Sequence, residues 1–223
     1  MEATHTAGMT ERKTSMEVVA GGSTAEAIGG VGAIVLAILG LAGVMSSELA
    51  RIATIAIGAS LLFEGGAIAA RFSRLLSEVS TERITTTEIG GGMTLEVLGG
   101  IGGVVLGLLA LMGVVPMILL GTAVIVFGGT LLLASGATSR LNTLAYERTD
   151  MHESLRAVAR EAVSAAAGIQ VLLGLGAVTL GVLALVGIAP LVLSLVGLLT
   201  AGAAITFSGT AITARMMSTL VRS

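Results

Sequence analysis

The sequence predicts an all-α integral membrane protein of six transmembrane helices, arranged as three parallel helical hairpins with cytoplasmic helical extensions. Three observations predict it. Apolar residues make up 54% of the chain and charged residues 12%, about half the charged share of a soluble domain, and the mean hydropathy is +1.00. No charge interrupts the chain between Glu96 and Arg140, or between Glu161 and Arg215. A hydrocarbon core of ~30 Å needs about 20 apolar residues, so each stretch is long enough for two spans and too long for one. Finally, Gly30 to Arg71, Gly100 to Arg140 and Gly174 to Arg215 resemble one another, and such self-similarity marks a repeated structural unit.

In chain order, residues 1–15 form a polar tail without the apolar run of a secretory signal, so the first span is expected to direct insertion. Hairpins follow at 16–78, 79–144 and 145–223, together one membrane domain. Each similar segment opens G-[VIL]-G-[AG]-[IV] and reaches a second glycine at Gly43, Gly113 or Gly187. A short turn comes next, with Pro116 and Pro190 in the later copies and Ser46-Ser47-Glu48 in the first. Proline fits there because the first turn of a helix needs no amide hydrogen. The second apolar run of each copy ends in small residues and Arg71, Arg140 or Arg215. The expected spans are 27–45, 50–70, 97–114, 117–138, 168–188 and 190–213. Two helices per unit return the chain to its starting side, so the hairpins point the same way, related by an axis along the membrane normal.

The polar connections 72–92 and 140–160 read as helical extensions. His152 to Val163 spaces its apolar residues three and four apart, as an amphipathic helix does. If that helix continues into the fifth span, it protrudes from the bilayer by several turns. The pairs Gly21-Gly22 and Gly91-Gly92 are expected to kink their helices. Of the twelve basic residues, all but Arg51 fall on the side opposite the turns. That excess places both termini in the cytoplasm, in an inner membrane.

Thirty-two glycines and no tryptophan make an unusual membrane chain. Small residues let helix backbones approach closely in lipid. Gly32 with Gly40, Gly99 with Gly102, Gly103 with Gly107, and Gly174 are the expected packing positions. They imply a tight bundle that also oligomerises. The expected partners are membrane lipids, further copies of the chain or a larger membrane complex, and no nucleic acid. Tyr146 is the one tyrosine, so no aromatic belt anchors the helices.

Glu64 is the ionisable residue expected well inside a span. A carboxylate there must be protonated, paired or reached by water, which makes Glu64 a candidate proton or cation site. The other hairpins carry Ala134, Ser135 and Ser208 nearby, so the acid is not part of the repeated pattern. Glu26, Glu96 and Gln170 occupy equivalent positions at the cytoplasmic ends of the first helices. They either form a pseudo-threefold polar ring or simply face water or cap the interface.

Several chemistries are excluded. There is no cysteine, and nothing gathers His5 and His152 into a ligand set, so no metal site is expected. Serines and threonines lack a base and an orienting group, so no catalytic residues are expected. Gly100-Ile101-Gly102 follows no strand and is no dinucleotide fingerprint. No cofactor is implied.

The segments GLLALMGVVP (107–116) with 128–140, and GVLALVGIAP (181–190) with 202–215, resemble the HdeD-like acid-resistance membrane protein family. The first hairpin departs from the pattern at Ser46-Ser47-Glu48, as do the long extensions. The resemblance implies three two-helix units and a role in membrane stress or acid tolerance, with no chemistry to carry over. The expectation is a non-enzymatic, oligomeric membrane protein, a structural or accessory part of a membrane assembly. The alternative is a small channel or transporter for protons or a small solute, using Glu64.

Overall fold

In a computed structural model, the backbone is described over residues 27–78, 86–147 and 153–220, and side chains over 27–66, 95–135 and 168–207. Every element in those residues is an α-helix, and no strand occurs among them. The helices are α1 (Ala27–Leu41), α2 (Ser46–Glu78), α3 (Thr86–Leu111), α4 (Pro116–Glu147), α5 (Glu153–Leu185) and α6 (Pro190–Leu220). Four stretches are long and apolar enough to cross a membrane: Ser46–Gly66, Pro116–Ser135, Gly168–Leu185 and Pro190–Phe207. Two apolar stretches are shorter, Ala27–Leu41 in α1 and Leu95–Leu111 in α3.

The long polar connections are largely helical. α5 runs unbroken through 33 residues from the charged segment into the apolar one, a rod of about 50 Å. α3 runs through Gly91 and Gly92 without a break in its helix. Successive backbone hydrogen bonds outweigh the ~1 kcal/mol that each glycine costs in propensity. Gly21 and Gly22 lie outside the described residues.

The same backbone device links α1 to α2, α3 to α4 and α5 to α6. Gly43, Gly113 and Gly187 adopt φ of 88°, 86° and 95°, values open to glycine because it has no Cβ. Their amides donate to Gly40, Ala110 and Ala184, and the next amides, of Val44, Val114 and Ile188, donate to Leu39, Leu109 and Leu183. That pair of bonds is the Schellman motif, which satisfies carbonyls left over at a helix C-terminus. Met45, Val115 and Ala189 follow at φ of 39°, 32° and 39°, and their carbonyls accept the first bonds of the next helix from Leu49, Leu119 and Leu193. Pro116 and Pro190 then open α4 and α6, where the missing amide hydrogen costs nothing. In α2 the opening residue is Ser46, whose hydroxyl donates to the Gly40 carbonyl at 2.7 Å.

α2, α4 and α6 pack against one another. α3 lies against α2 and α4, and α5 lies against α4 and α6. α1 meets α2 at Gly29 and α6 at Gly30 and Gly40, so it closes the ring. The large buried side chains come from the three inner helices: Ile57 and Leu61, Leu120, Phe127 and Leu131, and Leu195, Leu198 and Ile205. The outer helices offer alanine instead, at Ala33, Ala37, Ala110 and Ala177. Their outward faces expose Ile28, Val35, Ile101, Val105, Leu172 and Leu175. Such a surface suits hydrocarbon, because a soluble monomer rarely leaves large apolar patches in water.

Candidate functional site

Glycine sets how closely inner and outer helices approach. An ideal Cβ on Gly100 would fall 2.8 Å from the Gly58 carbonyl oxygen, on Gly174 2.9 Å from that of Gly128, and on Gly202 3.1 Å from that of Gly30. Backbone therefore touches backbone at the α2–α3, α4–α5 and α6–α1 seams. Among the expected packing residues, Gly99 faces Thr130, Gly103 faces Phe127, Gly107 faces Ile55, Gly40 faces Leu195 and Gly174 faces Gly128. Gly32 differs, since a Cβ there would meet nothing within 4 Å. Gly58, Gly128 and Gly202 were not singled out by spacing within one helix. Their signal is that each sits at the same distance past its own turn glycine.

The α2–α3 seam also carries the charge. Where side chains are described, the ionisable ones are Glu48, Arg51, Glu64 and Glu96. Glu64 is 5% exposed and Glu96 2% exposed. Glu96 thus corrects the reading in which it faces water: α2 covers it. A Cβ on Gly65 would lie 2.7 Å from Val97 Cγ2, 3.2 Å from the Val97 amide nitrogen and 3.5 Å from Glu96 Cβ. The glycine beside Glu64 thereby lets α2 lie directly on the Glu96 turn of α3, and the two carboxyl groups come within electrostatic reach of each other. Glu96 Oε2 is buried without a hydrogen-bond partner. Both acids lie far from the turns. Glu64 is ~27 Å along α2 from Ser46, and Glu96 is ~22 Å along α3 from Leu111, at 1.5 Å per residue. That similar depth was readable in the sequence, by counting back from each turn, but the helix that each acid faces was not.

Hydroxyls around the core do not extend this site into a polar path. Thr54 donates to Ala50 O at 2.8 Å, Ser60 to Ala56 O at 2.9 Å, Thr130 to Val126 O at 2.8 Å and Ser135 to Leu132 O at 2.7 Å. Each is tied to a carbonyl of its own helix, a common way to bury a hydroxyl in an apolar setting. Ser194 Oγ and Arg51 Nε are buried without hydrogen-bond partners. Among the described residues, no three His, Cys, Asp or Glu side chains gather to hold a metal ion. Gln170 is half-buried on α5, and Glu26 lies outside the described residues.

Comparison with protein-family models, curated proteins and solved structures gives no match.

Proposed function

We propose that this chain is a non-enzymatic integral membrane protein that crosses the inner membrane six times, as three hairpin units about an axis along the membrane normal. Both termini lie in the cytoplasm, the side that holds every basic residue but Arg51. It acts through packing, as an oligomeric structural or accessory component of a membrane assembly. The observation that carries this reading is the inverted distribution of bulk: alanine and glycine face inward from the outer helices, while branched apolar side chains face outward. In lipid, close small-residue contact replaces the hydrophobic drive that water supplies. Hydroxyls bonded back to their own helices speak against a hydrated conduit. The HdeD-like resemblance suggests membrane or acid stress as the setting.

The test is the mass of the native complex, extracted into a mild detergent or a lipid nanodisc. A defined homo-oligomer, or a partner in fixed stoichiometry, is the expected result. A stable monomer with no such contact would contradict it. The buried Glu64 and Glu96 favour a second reading, a proton or small-solute transporter. For that reading, Glu64→Gln must abolish flux in liposomes, and unchanged flux would sink it.

A further inference from the structure

The first hairpin carries charge on its turn side, at Glu48 and Arg51, where the other two carry none. We propose that this pair is a headgroup site for a zwitterionic phospholipid with a primary amine, phosphatidylethanolamine. On the reading that places the turns at a membrane surface, Arg51 takes the phosphate and Glu48 the ammonium group.

Arg51, Gly121 and Leu195 each lie eight residues past their own turn glycine. Gly121 is set against Leu185 and Leu195 against Gly40, so this position looks into a seam between units. In the first unit Gly107 meets Ile55, one turn further along α2, and Arg51 brings a cation to the turn end of that seam. Packing alone is served by leucine, as Leu195 shows in the third unit. Arg51 Nε is buried with no hydrogen-bond partner, which is costly until an acceptor reaches the group. Glu48 does not supply that bond. Its carboxylate accepts from Ser47 Oγ at 2.9 Å. Three residues apart on one helix, the two charges are neighbours on a single face, ~5–6 Å apart at Cβ.

Depth selects the ligand. Arg51 is five residues past Ser46, ~8 Å along α2, and its long stem can carry the guanidinium back to the membrane surface. The turns around it are apolar, with Met45, Met112 and Val186 exposed. The anions met at that level are headgroup phosphates, which lie just outside a hydrocarbon core of ~30 Å. A phosphate accepts two parallel bonds from a guanidinium. The ethanolamine arm then sets an ammonium group beside Glu48, whose carboxylate keeps acceptor sites beyond the one that Ser47 uses. Phosphatidylcholine offers the same phosphate but no N–H. A lipid with net negative charge would leave Glu48 facing an anion.

The test is native mass spectrometry of the full chain in detergent, given equimolar phosphatidylethanolamine and phosphatidylcholine with identical acyl chains. The wild type is expected to retain the ethanolamine lipid over the choline lipid by about tenfold, the worth of one charge-assisted hydrogen bond. Glu48→Gln is expected to remove that preference while phospholipid still binds. Arg51→Leu, which installs the residue of the third unit, is expected to lower retention of both lipids. Equal retention by the wild type overturns the proposal, as does a preference that survives Glu48→Gln. A variant that splits the oligomer without changing lipid retention also overturns it, and assigns the pair to a contact between copies. Should Arg51→Leu fail to fold, the wild-type ratio and the near-isosteric Glu48→Gln decide. Lipid retention reads the site and the native mass reads the assembly, so failure of one is distinguishable from failure of the other.

Discussion

At Gly128 one missing methyl group decides whether α4 and α5 can touch. A Cβ there would sit 2.7 Å from the Gly174 carbonyl oxygen and 2.8 Å from the Val178 amide nitrogen, and backbone atoms cannot swing aside as a side-chain tip can. Gly128→Ala is therefore expected to destabilise the folded protein by about 1–3 kcal/mol, the usual range for an overpacked interior. Gly129→Ala is the control, because its Cβ would meet nothing within 4 Å. Thermal unfolding in detergent, followed by circular dichroism, checks the pair. Spacing along a helix identified Gly99, Gly103 and Gly107 as contact positions, yet it also selected Gly32, which opens outward. The reason is geometric. Eight residues carry Gly32 about 80° around the helix from Gly40, so only Gly40 reaches α6. The same limit hid the pairing of Glu64 with Glu96: a sequence gives each residue's depth, while the identity of the facing helix comes from packing.

The elements end where backbone geometry, not hydropathy, ends them. Apolar residues continue through the turns, as Val44 and Met45, Val114 and Val115, and Ile188 and Ala189 do. A reading of apolar runs therefore carried the first, third and fifth spans to 45, 114 and 188, whereas α1, α3 and α5 stop at Leu41, Leu111 and Leu185. The stop is the Schellman cap, and the cap depends on glycine at positive φ. Gly113→Ala forces an L side chain to φ 86°, and a loss of about 1 kcal/mol or more is expected. Pro116→Ala is expected to change little, because proline there supplies a favourable φ and gives up an amide that the helix does not use. Unfolding midpoints of the two variants, measured side by side, check this ordering. The second helices were more legible: Pro116 and Pro190 announced the starts of α4 and α6 to within a residue.

For the molecule as a whole, the feature no single segment discloses is closure. α1 reaches α6 across the full length of the chain, through Gly30 on Gly202 and Gly40 on Leu195, and that contact turns a row of helices into a ring. The all-helical, lipid-compatible character was readable from the charge-free stretches alone. The ring was not, because glycine, alanine and valine are so common here that they mark several faces at once. The central claim is six crossings with the three turns on one side. It is tested most directly by cysteine accessibility, which suits a chain with no native cysteine. Single cysteines would replace Val44, Val114 and Ile188 in the turns, and Thr81, Thr149 and Ser223 on the other side. In intact cells opened only at the outer membrane, an impermeant thiol reagent is expected to label the first three. The other three are expected to react only after the inner membrane is permeabilised. A turn cysteine that labels from the same side as Thr81→Cys or Thr149→Cys would contradict the six-crossing account and leave four crossings at most.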